Sequence, residues 1–309
     1  LADTLGVSNV VEFPEFCTVL VPYSEINIHV ASARRESYRA KSRKPEVEHC
    51  SIEEDLARRD FTIDAMAIPL TNSGDQTIID PHGGATDIPK REIRAISSTV
   101  FRDDPIRLFR AIRLAANLDF RLEMKTRSWI KENPSMILCV SPERIRDELL
   151  KLLSATSSTK WLRELDNLGL LPVIIPEIEC MRGVAQPKEH YWDVFEHSIN
   201  SANMAGKIFE QNTDLNFFQA NIPKFPEMYI YFNEKISDGQ TRATFLKFTA
   251  LLHDIGKPAS KTVDSSGKIR FLTHSEVGSD IANDIMNRLR ISKKGVSIVE
   301  TMIKNHLRP

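Results

Sequence analysis

The sequence predicts an α+β protein in which a small β-sheet precedes a mostly helical remainder. Apolar and polar side chains alternate through residues 10–33, as expected of strands whose two faces meet different surroundings. From Pro105 onward the apolar residues instead recur every three or four positions, which is the helical period. The length of 309 residues allows about two domains. Together these patterns predict a sheet part, a helical middle and a helical end.

The strands of the sheet part are predicted from their alternation and from the turn residues between them. Residues 17–21 and 26–30 flank the sequence PYSE, so this segment predicts a β-hairpin. A further strand is predicted over residues 61–68. Between them the sequence ESYRAKSRKPEVEH concentrates Lys and Arg residues at 39–44, and we expect a mobile basic loop there.

The helices are predicted from apolar stripes and from start signals, such as Pro105 and Pro142 in first turns. A Pro-bearing segment, LLPVIIPEIECMRGVAQP, separates two helical regions. We therefore predict three domains, at 1–100, 101–185 and 186–309, and an irregular aromatic-rich stretch at 211–242. The predicted helices lie at 105–118, 124–132, 142–153, 158–169, 194–210, 244–253, 276–290 and 295–306.

Composition excludes several classes of protein. The chain has 41 Lys plus Arg residues and 42 Asp plus Glu residues, so its net charge is −1. The total charge therefore does not indicate a polyanion partner, and only local basic patches could indicate one. No apolar run approaches the ~18 residues of a membrane span, and we expect a soluble, cytoplasmic protein. The cysteines lack CxxC spacing, and no P-loop or dinucleotide-binding glycine pattern occurs. The chain has no initiator Met, and we expect it to be part of something longer.

Two segments, DLARRDF and RDDPIRLFRAIR, place Arg beside Asp at high density. On a helix, Arg107, Arg110 and Arg113 fall within about a 120° arc and form a cationic stripe. A guanidinium donates paired hydrogen bonds to a phosphate or a base edge, and a carboxylate accepts from an exocyclic amine. Asp104 with Arg107 would therefore suit base recognition. The alternative is a salt-bridged, solvated helix face, which the same spacing also fits.

Four motifs in this order, EEDLARRDFTIDAMA, IIDPHGGATDI, FRDDPIRLFRAIRLAANLDF and SPERIRDELLKLL, resemble the central motifs of the tRNA nucleotidyltransferase and poly(A) polymerase family, bacterial CCA-adding type. The resemblance spans roughly residues 10–180. It implies transfer of C and A from CTP and ATP to the 3′ end of tRNA, with Mg²⁺ as cofactor. The nucleotide-binding residues it implies are Arg59 and Asp60 for triphosphate and ribose, Asp104 and Arg107 for choosing C or A, and Arg110 and Arg113 for phosphates.

Phosphoryl transfer to a hydroxyl requires closely spaced carboxylates that hold metal ions. No such catalytic pair is visible in this chain, and in the family the pair precedes the matched motifs. His29 stands where the family often carries Asp or Glu, and an imidazole is a poor ligand for a hard metal ion. Two explanations remain open: the catalytic strand lies upstream, or transfer activity has been lost.

The last third of the sequence carries histidines in four short segments, DVFEHS, LLHDIGKP, FLTHSEVG and IKNHLRP. Imidazole and carboxylate together suit a divalent transition metal. The pattern resembles the HD phosphohydrolase superfamily, which implies an all-α fold and metal-dependent hydrolysis of phosphate esters. Lys257 is expected to be an exposed lysine, with contact to phosphate as the alternative. The candidate metal ligands are His197, His253, Asp254, His274 and His306.

Three functions therefore stay open. The leading hypothesis is a tRNA nucleotidyltransferase that adds CCA and carries an HD phosphohydrolase-like domain. The second keeps hydrolysis alone, and the third is a non-catalytic RNA-binding homologue in a larger assembly. CCA addition, A addition and poly(A) synthesis share the motifs above, and the sequence does not indicate an oligomeric state.

Overall fold

A computed structural model describes residues 2–24, 26–37, 46–70, 77–186, 191–208 and 225–308. The chain forms two compact units. The first comprises Leu1–Lys90 and Ala95–Val100, and the second comprises Arg91–Arg94 and Phe101–Pro309. None of the helices in the described ranges combines the length and the apolar character needed to cross a bilayer. The predicted basic loop at 39–44 lies outside the described residues.

The first unit contains the predicted hairpin, extended by one strand. Three antiparallel strands pair in the order β1–β2–β3, and Val19 of the middle strand lies opposite Val30. A separate antiparallel pair, β4 with β5, follows. The hairpin prediction is confirmed. The strands are β1 Val11–Phe13, β2 Thr18–Tyr23, β3 Ile26–Ala31, β4 Arg34–Ser37 and β5 Glu46–His49.

The two helices of the first unit are α1, Ile52–Ala57, and α2, Gly84–Lys90. A capping box starts α1, because the Ser51 hydroxyl accepts from the Glu54 amide while the Glu54 carboxylate accepts from the Ser51 amide. The carboxylate of Asp80 caps α2 by accepting from the backbone of Gly84 and Ala85. Both helix starts therefore need no tertiary partner.

The strand predicted at 61–68 is wrong. Phe61 and Ala67 each form a single β-bridge, and a 3₁₀ turn, Thr62–Asp64, separates them. The Thr62 hydroxyl donates to the buried Asp87 carboxylate at 2.8 Å. Phe61 and Thr62, which are adjacent, are both buried, whereas adjacent side chains of a strand point to opposite faces. Side-chain pairing with α2 therefore overrides the local β pattern.

The second unit is mostly helical, and the eight predicted helices begin and end within a few residues of their predicted bounds. Within residues 225–242, the described part of the predicted irregular stretch, lies a short helix, α10, that the sequence did not predict; the short helices α3, α8 and α12 were not predicted either. With α3, which begins at the last residue of the first unit, the helices are α3 Val100–Asp103, α4 Ile106–Leu118, α5 Met124–Glu132, α6 Pro142–Ser154, α7 Ser158–Asn167, α8 Leu170–Ile174, α9 Val194–Lys207, α10 Met228–Asn233, α11 Arg242–Leu252, α12 Lys257–Ser260, α13 His274–Arg288 and α14 Lys293–Asn305.

Between these helices lie six short strands, which form three two-stranded pairs in the described residues. β6 and β7 are parallel, and the other two pairs are antiparallel. The α+β class predicted from the sequence is confirmed. These strands are β6 Glu92–Ile93, β7 Arg121–Leu122, β8 Lys235–Ser237, β9 Gln240–Thr241, β10 Thr262–Val263 and β11 Ile269–Arg270.

The core of the second unit is built from apolar helix faces. α4 packs on α6 and α7, where Ile112, Leu149 and Leu162 are all fully buried. α11 packs on α9 and α14, and α13 packs on α14. Glu177, in the segment before α9, accepts two hydrogen bonds from Arg288 at 2.7 and 2.8 Å. The packing of these helices decides which polar side chains meet.

Candidate functional site

The first candidate site lies at the start of α4. Arg144 of α6 donates to both carboxylate oxygens of Asp104, at 3.0 and 2.6 Å. The Asp104 side chain is 31% exposed. Arg107 lies one turn further along and is half-buried, with its amide donating to the Asp104 carbonyl. Arg144 thus fixes the orientation of a carboxylate that solvent still reaches. Sequence reasoning missed Arg144, although it lies in the motif SPERIRDELLKLL.

The arginine stripe of α4 lies between the buried and the solvent side of the helix. Arg107, Arg110 and Arg113 are all half-buried. Arg113 donates through Nε to Glu148 of α6 at 2.6 Å, and both side chains are at most 14% exposed. One member of the stripe therefore fastens α4 to α6 through a largely buried pair between two helices, whereas the salt-bridge alternative expected a solvated face. Its four remaining N–H donors are not engaged by this contact.

In the first unit, Arg59 and Asp60 follow α1. Asp55, at 2% exposure, accepts from Arg58 through one oxygen and from Arg59 through the other. Burial alone would raise the pKa of Asp55, but the hydrogen bonds from both arginines lower it. Asp60 is buried and accepts from the Phe61 amide at 3.1 Å. The Arg59 side chain is held at its guanidinium and still half-exposed.

The glycine turn before α2 has a structural role. A Cβ on Gly84 would stand 2.2 Å from the Thr62 carbonyl oxygen, so only glycine permits this approach. Gly83 has a φ of +79°, in the left-handed region that glycine adopts without strain. The turn lets Asp87 reach the Thr62 hydroxyl.

The second candidate site brings together histidines from separate helices around one carboxylate. Asp254, 1% exposed, lies between them. Its Oδ2 lies 3.4 Å from His197 Nε2 and 3.2 Å from His253 Nε2. Its Oδ1 lies 3.5 Å from His274 Nε2 and 3.7 Å from His306 Nε2. All five predicted ligands therefore converge.

The hydrogen bonds of three of these imidazoles fix which nitrogen faces the centre. Nδ1 of His253, His274 and His306 lies 2.8, 2.6 and 2.6 Å from a backbone carbonyl three residues earlier. A carbonyl oxygen only accepts hydrogen bonds, so each Nδ1 carries a proton. Each Nε2 then faces the cluster, and in the neutral imidazole it offers its lone pair there. Metal-binding histidines are commonly oriented in this way.

Burial and charge set the protonation of the cluster. Burial would raise the pKa of Asp254, but the hydrogen bond and charge of His253 and the charge of Lys257 lower it well below its usual range. Burial lowers the pKa of His306 below 6.5, and the neighbouring His253 adds to this effect. The cluster thus combines an ionised carboxylate with imidazoles, one of which loses its proton more readily than usual.

The ligand distances fit a divalent metal ion. Two donors bound at about 2.1 Å in tetrahedral geometry lie about 3.4 Å apart. The Nε2 atoms of His274 and His306 are 3.2 Å apart, and each histidine lies 3.2–3.7 Å from an Asp254 oxygen. His197, His253 and Asp254 form one group with metal-binding potential, and Asp254, His274 and His306 form another. Nitrogen and oxygen donors of this kind suit a transition metal such as Zn²⁺ or Mn²⁺.

Lys257 is not the exposed lysine that the sequence analysis expected. It is 8% exposed, and its ammonium lies 2.7 Å from Asp254 Oδ2 and donates to Gln186 Oε1 at 2.7 Å. Gln186 in turn donates to the carbonyl of Asp193, which caps the helix that carries His197. The three-residue spacing of Asp254 and Lys257 on consecutive turns was the available signal.

Three segments of the chain match known families. Residues 2–94 match the Poly A polymerase head domain, and residues 119–181 match the probable RNA and SrmB-binding site of polymerase A. Residues 194–309 match the HD domain. The order of these matches follows the order of the resemblances found in the sequence.

Relatives over most of the chain are tRNA nucleotidyltransferases. The A-adding enzyme of Deinococcus radiodurans is 28% identical over 263 residues, which cover 83% of this chain and 53% of that protein. The CC-adding enzyme of Thermus thermophilus is 27% identical, with coverages of 83% and 52%. The chain thus spans about half the length of these relatives. A solved tRNA-processing enzyme with CTP shares the fold at a TM-score of 0.64 and 22% identity, covering 99% of this chain and 65% of that chain.

Proposed function

We propose, from the premise that this chain belongs to the tRNA nucleotidyltransferase and poly(A) polymerase family, that it extends the 3′ end of tRNA with C and A from CTP and ATP. The chain would then comprise three domains, at 1–100, 101–185 and 186–309, and act in the cytoplasm. Mg²⁺ would serve the transfer step, and we assign no described residue to it.

The observation that carries this proposal is the carboxylate of Asp104, held by Arg144 and still reachable by solvent. At C4 of the pyrimidines and C6 of the purines, C and A carry an amine, which donates hydrogen bonds, whereas U and G carry an accepting oxygen. An ionised carboxylate accepts only. A base with an amine at this position is therefore favoured over one with an oxygen, and Arg107 supplies donors for the neighbouring ring nitrogen.

The other predicted residues have supporting roles in this proposal. Arg59, Asp60 and Arg110 would hold the ribose and the triphosphate. Arg113 would contact phosphate only with the donors that Glu148 does not accept from. Its ion pair also keeps α4 at a fixed position on α6, which stabilises the helix that presents Asp104.

The test uses the protein expressed from its complete reading frame and three tRNA transcripts, ending before CCA, after the first C and after the second C. Incorporation of each labelled nucleotide is followed on denaturing gels. Native protein should extend all three transcripts with C and A and reject UTP and GTP. Extension of only the third transcript would show A addition alone, and tRNA binding without incorporation would favour the non-catalytic alternative.

Asp104→Ala should relax selection against UTP and GTP by about 5–150-fold, because each base contact contributes about 1–3 kcal/mol of discrimination. Asp103→Ala is the matched control, since Asp103 is its exposed neighbour. If both variants kept native selectivity, the role of Asp104 would be refuted.

A second function is favoured by the convergence of His197, His253, Asp254, His274 and His306. We propose that this cluster holds a divalent transition metal, which when bound would activate water toward phosphate esters. The residues of the chain bind and orient: Asp254 supplies the negative charge, and the carbonyls behind three histidines fix their rings. Metal content and hydrolysis of bis(p-nitrophenyl) phosphate should both be lost in Asp254→Ala and His253→Ala, and hydrolysis that persists in both variants would exclude the cluster.

A further inference from the structure

Two adjoining cavities lie beside the histidine cluster. The inner cavity, of about 480 Å³, is bordered by His253 and His306. The outer cavity, of about 540 Å³, shares with it Leu246 of α11 and Thr301 and Met302 of α14. The two cavities therefore follow one another between α11 and α14, and we refer to them together as the α11–α14 groove.

The inner cavity has polar residues but an apolar lining. The hydroxyls of Ser201, Thr249 and Thr301 donate to carbonyls four residues earlier in their own helices, at 2.9, 2.9 and 2.7 Å. With those hydrogens engaged, the lining that a ligand meets is mainly apolar, and it includes Leu246 and Met302. Such a lining suits the apolar face of a flat group such as a nucleobase, placed next to the metal-ligand imidazoles.

The outer cavity has different chemistry. Tyr231 and Phe232 of α10 line it with rings whose centroids are 5.1 Å apart. The Arg242 guanidinium lies 4.1 Å from the Tyr231 ring centroid and also pairs with Glu234. Lys294, at the start of α14, is exposed. Aromatic rings beside cations are the combination by which proteins bind single-stranded nucleic acid, because bases stack and phosphates meet positive charge.

We propose that the α11–α14 groove binds the single-stranded end of an RNA chain. The terminal nucleoside occupies the inner cavity, and the preceding nucleotide lies along Tyr231 with its phosphate toward Lys294. The inference rests on the proposed metal centre only for the orientation of the strand, since it places the terminal phosphate at His253 and His306. A mononucleotide would need the inner cavity alone, whereas the rings and cations of the outer cavity favour a longer strand.

The probe is a six-nucleotide RNA with 5′-fluorescein and a 3′-terminal 4-thiouridine, added to the full chain after metal removal. Fluorescence anisotropy should show roughly fivefold to tenfold weaker binding for Tyr231→Ala and for Lys294→Glu. Tyr231→Phe keeps the ring, and Lys268→Glu reverses an exposed charge that lines neither cavity, so both controls should bind within about twofold of native protein. Ultraviolet crosslinks should map to peptides of α11 or α14.

Native-like affinity in both Tyr231→Ala and Lys294→Glu, or crosslinks confined to 101–181, would overturn the groove as the RNA site. Binding of AMP but not of the hexamer at the α11–α14 groove would also overturn it, in favour of a mononucleotide. Failure of the proposed metal centre is a separate result, because it appears as absent metal and absent hydrolysis. Anisotropy and crosslinking still show in that case whether RNA binds the α11–α14 groove.

Discussion

Gly256→Ala should disturb both the stability of the second unit and its histidine cluster. Gly256 lies where the segment after Asp254 crosses α13. A Cβ at this position would stand 2.3 Å from the His274 carbonyl oxygen and 2.4 Å from the Gly278 amide nitrogen, whereas ordinary contacts begin at 3.4 Å. Both neighbours are backbone atoms, so the crossing segments must separate by roughly 1 Å.

Two measurable effects follow from this separation. Overpacking of this kind costs about 1–3 kcal/mol in the free energy of unfolding. His274 Nε2 lies 3.5 Å from Asp254 Oδ1, and the two residues lie on the two segments that move apart. Misplaced ligands reduce metal affinity by about 10–100-fold, and we expect a loss in that range.

Urea unfolding and calorimetric titration of the metal-free protein with Zn²⁺ measure these two effects. A Cβ on Gly278, on the other side of the same crossing, would stand 3.2 Å from the Gly256 amide nitrogen. Gly278→Ala should therefore give smaller losses of stability and of Zn²⁺ affinity. Gly206→Ala is the control for replacing glycine within a helix, since its Cβ would meet only the flexible end of Lys247 at 3.0 Å. Equal stability and equal Zn²⁺ affinity in Gly256→Ala and Gly206→Ala would refute the reasoning.

Three further predictions concern stability. Glu148→Gln removes the charge that faces Arg113 at 2.6 Å in a largely buried pair, and it should lower the free energy of unfolding by about 2–3 kcal/mol. Lys151 lies 3.9 Å from the same carboxylate, and Lys151→Gln should change this free energy by under about 0.5 kcal/mol in the same urea assay. Equal losses in the two variants would contradict the stabilising role of the Arg113–Glu148 pair. Burial raises the pKa of Glu177, but the hydrogen bonds from Arg288 outweigh it and lower the pKa below 4.5. The ionised form therefore stabilises the fold above pH 4.5, and this contribution disappears as the pH falls through the lowered pKa. The free energy of unfolding of the native protein should exceed that of Glu177→Gln by under about 1 kcal/mol at pH 7 and equal it near pH 2. A constant difference between the two proteins across that range would exclude the Glu177–Arg288 pair as its cause. Gly84→Ala places a Cβ 2.2 Å from the Thr62 carbonyl oxygen and should lower the melting temperature of the first unit by about 4–8 °C for each kcal/mol lost, whereas an unchanged melting temperature would show that the turn before α2 is free to move.

Local pattern in the sequence was sufficient for the eight longest helices and for the residues of the histidine cluster, but not for the shorter helices or for Arg144. The α4 prediction at 105–118 and the α6 prediction at 142–153 differ from the structure by one residue at one end, because a helix face repeats within a few residues of chain. Pairing within the hairpin is equally local. The strand expected at 61–68 failed because Thr62 pairs with Asp87, which is distant in sequence.

Only the tertiary structure decided how the polar groups meet. No spacing in the sequence pairs Asp104 with Arg144, or Arg113 with Glu148, since α4 and α6 must first pack on each other. The histidine cluster was predicted as a set of residue types, but its assembly depends on several helices packing so that their ends reach Asp254. The burial of Lys257 and the groove between α11 and α14 depend on the same packing. Helical period is a property of neighbouring residues, whereas burial and convergence are properties of packed surfaces that neighbouring residues do not encode.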